Sequence, residues 1–519
     1  MDQDTGERPQ VAGGYASALL RRHGLLLRLL ALAVYLALRL LPAGAPLRWH
    51  YDWVTGHFLT IARAFNRYGI ITLRGVPIQS SGALWPDPDV YANWPPGFGL
   101  MLSAVLRLPA HPLLLGRIFA ALISVATVVV IWLLARGLWG ERRADLAGFL
   151  YAAMAVVIAR GSLTTHLSMA LLLMLAAYHV ALAHPSRRGA WLSSVLFALA
   201  CYCSWEPLLL TVPLLWLGFV RRSVRWRPMA VRFSVAAAVT IAVIAAQFAC
   251  APGGNVVAGL AERGYHRVFA GIAADTDQPP TVDPLPTRGL LTSPVEYARV
   301  MFDNLQEFGV AHLLTFAFLG VFLWGLRRGE SFAREHAAVV VLAFPALLWF
   351  VLMSNHAMFH EYEMLVWAPF MALGAAVAAD GLRELGARAG SERGGYAIAL
   401  LVVLLVGHLL LAGRAAVNTF IELRSPTQVE LGELIRSVTP PDARVLTADR
   451  NMIVSWVADR RIYRGIETHA DVQWALRHFD ELGITDPVYL FGLTEAKTGL
   501  DRTWPHRHEA GKFWWWRLR

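Results

Sequence analysis

Cysteine is nearly missing from this chain: three occur in 519 residues, at Cys201, Cys203 and Cys250. All lie in or beside apolar runs, which excludes a disulfide framework for exposed regions and reads as packing. The Cys-x-Cys spacing has no second pair, so it does not make a zinc site. Lysine is scarcer still, at Lys497 and Lys512 alone. The arginines are scattered over separate short stretches, and no basic helix or aromatic-interleaved basic patch gathers them, which excludes nucleic acid as a partner. No repeat of roughly 20 to 50 residues recurs, which sets a solenoid aside. The first apolar run lacks a small-residue cleavage site, so it reads as a retained anchor with no targeting segment lost.

What is present in excess is apolar surface. Hydrophobic residues make up 56% of the chain and the mean hydropathy is +0.46, more than one soluble core can bury. Windows of about 18 to 22 nearly uncharged residues match the length a helix needs to cross a bilayer while satisfying its own backbone. About eleven spans are predicted, over Gly24–Pro42, Leu114–Leu134, Asp145–Arg160, His166–Ala183, Ala190–Ser204, Pro207–Val220, Met229–Cys250, Val310–Leu326, Ala337–Met353, Leu365–Ala379 and Tyr396–Ala412. The net charge of +10 follows this pattern. Arg136, Arg142 and Arg143, then Arg187 and Arg188, then Arg221, Arg222, Arg225 and Arg227, and later Arg327, Arg328, Arg334, Arg383, Arg388 and Arg393 fall in every second loop. The positive-inside rule then puts the N-terminus inside and the C-terminus outside. It also keeps the short apolar segment Pro95 to Leu108 on the outer surface, since a crossing there would invert the basic loops.

The expected fold is mainly α: a polytopic transmembrane bundle carrying a small extracytoplasmic α/β domain. Residues 1–23 form a cytoplasmic segment, and residues 24–413 the transmembrane domain, with outer loops 43–111 and 251–307. Residues 414–519 form the outer domain, in which a helix near Pro426 to Val438, a strand Arg444–Thr447, a helix near Ala470 to Leu482 and a strand Pro487–Phe491 are predicted. Pro279, Pro280, Pro284 and Pro286 break any long helix in the second loop.

Polar groups collect at the predicted outer helix ends. Asp52 stands just beyond the first span. Arg160 to His166, Ser204 to Pro207 and Asn355 to Glu363 form three further polar turns on the same side. Any one of these is ordinary as an interfacial anchor; four on one face suit transfer chemistry. Moving a sugar from a lipid phosphate needs a carboxylate to take the acceptor's proton and cationic or hydrogen-bonding groups to stabilise the leaving phosphate. Asp52 suits the first role, and Arg63, Arg67, Arg160, His166 and His360 the second. Structural readings stand beside these. His57, a little over one helical turn from Asp52, equally suits a half-exposed surface position. His179 and His408 fall inside spans and read as packed, Asp87 and Asp89 flank Pro88 and read as solvated, and Trp514, Trp515 and Trp516 suit a sugar face, the membrane surface or a buried final strand.

Several of these pieces recur together in a known family. The outer-loop Asp, the helix ending in Asn66-Arg67-Tyr68-Gly69, the Trp94-Pro95-Pro96-Gly97 turn, Arg117 opening the next span and His360-Glu361-Tyr362 before a later span resemble GT-C glycosyltransferases. The nearest branch is protein-mannosyltransferase-like, with the bacterial lipid A aminoarabinose transferases, and the resemblance covers residues 25 to 415. It implies a multi-pass cell-membrane enzyme with an outward-facing site. Such an enzyme would take a sugar, with inversion, from a polyprenyl-phosphate donor to a cell-envelope glycan, lipid or protein. Asp52 maps onto the family's catalytic carboxylate, and Trp94, Pro95 and Pro96 onto its His-Pro-Pro turn, with Trp in place of His. The turn between the third and fourth spans carries Thr164-Thr165-His166 where relatives often carry a second acid, leaving Glu206 or Glu361 as substitutes, with Tyr362 beside them. No cofactor is certain; Asp52, His166 and His360 are acceptable ligand types for a divalent cation. The competing readings are a transporter or flippase of lipid-linked glycans, which would favour midplane polar groups and inverted repeats, and a non-catalytic membrane scaffold.

Overall fold

Runs of Leu, Val, Ala and Ile without proline close into helices wherever they exceed about a dozen residues, and these helices dominate the architecture. The computed structural model describes residues 12–41, 43–44, 47, 52–161, 163–260, 290–328, 331–388, 391–421, 427–493 and 508–519. Among them six helices are long and apolar enough to cross a membrane: Pro112–Trp139, His166–Ala183, Arg227–Ala249, Glu335–Leu352, Tyr362–Arg388 and Gly395–Ala415. A seventh results if Pro294–Phe308 and Ala311–Arg328, bent by 105°, count as one span. The Tyr362–Arg388 helix is the central one, 78% buried over its most apolar window, whereas Gly395–Ala415 is 11% buried and turns its side chains outward.

The difference from about eleven expected spans arises where apolar runs are short or interrupted. The run read as Asp145 to Arg160 divides into Glu141–Ala152 and Ala155–Arg160, with Met154 extended between them. The run read as Pro207 to Val220 is a 3-10 turn, one α turn and a π turn in succession over Glu206–Val220. The run from Ala337 is interrupted at Leu342, because Pro345 has no amide to donate to the carbonyl of Val341, yet it stays long enough to count among the six as Glu335–Leu352. The outer segment predicted over Pro95 to Leu108 is a nine-residue helix, Gly97–Val105. Of the loop 251–307, residues 261–289 lie outside the described residues, and Pro294–Leu305 is helical.

The C-terminal part is an α/β unit. Its five-stranded sheet has the order β2-β1-β3-β5-β4, with β1 Arg444–Thr447, β2 Arg461–Arg464, β3 Val488–Leu493, β4 His508–Ala510 and β5 Phe513–Arg517. The first three strands are parallel, and β5 runs antiparallel to β3 and β4. Side chains alternate between faces along each strand. Val445, Ile462 and Phe491 meet Leu431, Ile435 and Val454 from helices Thr427–Val438 and Met452–Ala458. Leu446, Tyr463 and Leu490 meet Val472, Ala475 and Phe479 from helix His469–Glu481 on the other face. That last helix starts at a reciprocal cap between Thr468 and Asp471. Trp514 is buried within β5, so the tryptophan run is a strand of the sheet.

Ionic contacts fasten this unit to the first polar loop. Arg461 of β2 is buried and pairs with Asp87 at 3.0 Å and Asp89 at 3.1 Å. The Tyr463 hydroxyl donates to Asp87 at 2.7 Å, and Arg444 donates to the carbonyl of Trp85. Asp87 and Asp89 are therefore not solvated loop carboxylates; the partner that buries them lies more than 370 residues away. Gly82, at φ +78°, makes the close approach possible, since a Cβ there would fall 2.7 Å from the Arg461 amide nitrogen.

A second clamp joins the unit to helix Asp52–Tyr68. Asp459, left-handed at φ 53°, receives Arg63 at 2.9 Å and Arg67 at 2.6 Å, while the Arg63 guanidinium covers the Trp456 ring. Burial acts to raise the Asp459 carboxyl, but Arg67 and Arg63 outweigh it and hold the group at about 2, below its ordinary 3.8. Because the folded value lies below the unfolded one, this stabilisation is complete above about pH 4 and is lost as the pH falls towards 2. Asp459→Asn is expected to cost about 2 kcal/mol at neutral pH and nothing in strong acid. Unfolding curves of the two proteins across this range check it: a constant difference at all pH values refutes the clamp.

Candidate active site

Asp52 opens the helix Asp52–Tyr68, where a carboxylate in the first turn complements the helix dipole. Val54, Phe58, Ile61, Ala62 and Phe65 form the apolar face of that helix, and Thr55, His57 and Thr60 are buried as well. The helix is therefore enclosed along most of its circumference, and it carries Asp52 inward to 6% exposure. There the carboxylate meets Arg117, from the second turn of helix Pro112–Trp139, whose Nη2 lies 3.3 and 3.4 Å from the two carboxylate oxygens. Both side chains are buried, which removes most of the solvent screening that weakens surface pairs.

Next to Asp52, Trp53 contacts the rings of His360 and Tyr362 at centroid separations of 5.6 and 6.3 Å. His360 packs on His356 at 4.0 Å, and His356 Nε2 lies 2.7 Å from Glu363 Oε1. The other oxygen of Glu363 accepts from Trp349 Nε1 at 2.7 Å. Trp94 completes the wall between His166 at 4.2 Å, Trp349 at 5.6 Å and His356 at 5.7 Å. Pro95 and Pro96, both buried, turn the chain into helix Gly97–Val105. Gly97 rests against the Tyr202 carbonyl, where no side chain would fit.

Among the buried residues of this region with unsatisfied polar atoms are His57, His166 and Glu206. His57 lies edge-on to Tyr91 at 4.2 Å with neither ring nitrogen hydrogen-bonded, and burial, aided by Arg464, lowers its pKa to about 3. The imidazole is thus neutral at physiological pH. His166 Nδ1 meets the Thr165 hydroxyl at 3.3 Å while its Nε2 has no partner. Glu206 accepts from the Ser204 hydroxyl through Oε2 and leaves Oε1 without a hydrogen bond.

The structure thus brings Asp52, Trp94, His166, Glu206, His360 and Tyr362 into one buried region of aromatic and polar side chains. Arg63 and Arg67 are not part of it. They stand eleven and fifteen residues along the same helix, roughly 16 and 22 Å from Asp52, and are engaged by Asp459. Arg160 is buried and ion-paired with Glu307. The side chain of Glu361 lies outside the described residues. Arg117, Trp53, Trp349, His356 and Glu363 were not singled out as site residues from sequence. His356 and His360 are four residues apart, a spacing that places both on one face of a helical turn and was a usable signal.

Among the described residues Asp52 is not part of a set that would hold a divalent cation. Its carboxylate already faces a guanidinium, and no three His, Cys, Asp or Glu side chains among the described residues are disposed to hold one ion.

Residues 93–249 match the family described as dolichyl-phosphate-mannose-protein mannosyltransferase. Among solved structures, ArnT from Cupriavidus metallidurans bound to undecaprenyl phosphate is similar with a TM-score of 0.62 at 12% identity, covering 94% of this chain and 97% of that one. The archaeal oligosaccharyltransferase AglB from Archaeoglobus fulgidus, in complex with an inhibitory peptide and a dolichol-phosphate, gives a TM-score of 0.58 at 13% identity over 90% of this chain and 69% of that one. The Archaeoglobus fulgidus oligosaccharyltransferase in complex with Zn and sulfate gives 0.57 at 14% identity over 89% and 68%. At such identities the likeness is one of fold. A comparison with curated protein sequences finds no match.

Proposed function

From a chain that is GT-C glycosyltransferase-like, we propose an integral-membrane glycosyltransferase that moves a sugar from a polyprenyl-phosphate carrier to a lipid, polysaccharide or protein acceptor. The reading counts the shorter and interrupted apolar helices as crossings, about eleven in all. It places the N-terminus and residues 1–23 inside, the catalytic region of residues 24–413 facing out of the cell membrane, and the α/β unit within residues 414–519 outside.

The observation that carries this reading is the buried Asp52–Arg117 pair at the head of an enclosed helix, 3.3 Å apart and next in the chain to Trp53, whose ring meets His360 and Tyr362. In the proposed reaction an acceptor hydroxyl or amine attacks the anomeric carbon from the face opposite the phosphate. The bond from that carbon to the phosphate oxygen breaks, and the acceptor's proton passes to the Asp52 carboxylate. Arg117 holds the carboxylate in place and offers charge to the departing phosphate without rearrangement. Glu206 supplies the second buried acid, the tilted rings of Trp94 and His166 pack beneath the site, and the His356–Glu363 contact fixes the segment that carries His360.

The test is transfer of radiolabelled sugar from a panel of polyprenyl-phosphate donors in membranes with and without the protein, with lipids and polymers separated afterwards. A labelled product that appears only with the protein is expected. Intact protein that yields no product from any donor, yet moves labelled lipid across the bilayer, would replace this reading with a flippase.

A further inference from the structure

A second concavity lies far from Asp52, between the end of helix Asp52–Tyr68 and the α/β unit. It has a volume of about 630 Å³ and is lined by Arg67, Gly82, Ala83, Arg436, Pro441, Asp442, Asp459 and Arg460. That size falls in the range of small-molecule sites, and nothing in the proposed transfer step uses it.

Its charges do not balance. Asp459 is shared by Arg67 and by Arg63 behind it. Arg460 is buried and donates through all three of its nitrogens to neutral oxygens: the Thr439 hydroxyl and carbonyl, and the carbonyls of Arg436, Ala458 and Asp459, at 2.7 to 3.3 Å. Its hydrogen bonds go to neutral oxygens, and Asp459 and Asp442 act on its charge only through space. Arg436 is exposed at the mouth, and its guanidinium has no hydrogen bond or ion pair among the described residues. Three guanidiniums, those of Arg67, Arg436 and Arg460, therefore line the recess with two carboxylates, Asp459 and Asp442; Asp459 is already shared with Arg63 from behind, and Arg436 has free donors.

We propose that this recess binds an anionic substituent, a carboxylate or a phosphate, on the sugar acceptor, with Arg436 as its direct ligand and Arg460 and Arg67 supplying field. The assignment of the anion to the acceptor rests on the transferase reading; the anion site itself does not. The recess stands roughly 22 Å along the helix from Asp52, so a bound anion would anchor an extended acceptor whose reactive group lies well away from the charge. A planar guanidinium with free N–H groups suits either anion.

The test uses the purified full-length chain in detergent at low salt, without donor, titrated calorimetrically with glucuronate, glucose 6-phosphate and glucose. At least one charged sugar is expected to bind roughly ten- to a hundredfold more tightly than glucose, the range of a charge-assisted hydrogen bond. Arg436→Gln should remove that preference, since its guanidinium holds nothing else in place. The tighter of the two charged probes identifies the anion. Equal binding of all three sugars, or an undiminished preference in the Arg436→Gln protein, overturns the proposal. Because no sugar is transferred in this measurement, failure here is distinct from failure of the transferase reading.

Discussion

Asp52→Asn is expected to lower sugar transfer by roughly a hundred- to ten-thousandfold, the contribution of a positioned general base, while the chain still folds and inserts. The amide keeps the shape of the side chain and an oxygen for Arg117, but it cannot take the acceptor's proton. The reciprocal change, Arg117→Gln, is expected to be worse for the fold. It leaves a buried carboxylate without its cation, and breaking a buried pair from one side costs about 3 to 5 kcal/mol. Combining the two should restore much of the lost stability and none of the activity, since the pair is then replaced by two neutral groups. Transfer assays and thermal unfolding of the three proteins separate these effects. Full transfer by the D52N protein would remove Asp52 from the chemistry, and an Arg117→Gln protein as stable as the wild type would show that the pair contributes little to the fold.

The second large effect is expected at Arg461. This guanidinium is buried, lies 4.5 Å from the centre of the Tyr463 ring and holds Asp87 and Asp89 together. Burial by itself would raise the Asp87 carboxyl, yet Arg461 and the Tyr463 hydroxyl keep it below its ordinary value. Arg461→Met would leave two half-buried carboxylates with only the longer contacts to Arg464 at 3.6 Å and His478 at 3.8 Å, at a cost of about 3 kcal/mol, the lower end for a broken buried pair. The result should be loosening of the α/β unit from the first polar loop, read as new protease cleavage near Asp87 and a lower unfolding temperature. Adding Asp87→Asn and Asp89→Asn to Arg461→Met should recover part of the loss, because the two carboxylates that lost their main cation are then neutral. Wild-type protease resistance in the Arg461→Met protein would mean that packing, and not this charge, holds the unit.

The features legible in the sequence were those set by local pattern. Long apolar runs became helices, and β1 falls on the predicted residues Arg444–Thr447, because a short apolar run after a turn at Pro440-Pro441-Asp442 has few other conformations open to it. Asp52 stood out because a lone acid beside an apolar run is costly unless used or paired. Its pairing with Arg117, noted in the sequence only as opening the next span, did not stand out, since the two are 65 residues apart and the contact depends on how two helices pack. Arg63 and Arg67 show the same limit from the other side. Their position on the helix of Asp52 suggested phosphate ligands, but the acid that engages them, Asp459, arrives from about 390 residues further along. Helix interruptions were hidden for a different reason: hydropathy averages over a window, and a single extended residue such as Met154 hardly changes an average.

The strand order of the C-terminal sheet leaves β2 at one end. A strand in that position ordinarily presents a row of backbone groups that a neighbouring polypeptide can pair with, and crowding in a membrane makes such encounters frequent. Here Gly82 of the first polar loop lies against the backbone of β2 at Arg461, and Asp87 and Asp89 occupy its side chains. The opposite end is β4, three residues long with His508 and Glu509 exposed. One border is occupied and the other is too short and too polar to template a new strand, so neighbouring copies of the protein can stand side by side without their sheets fusing.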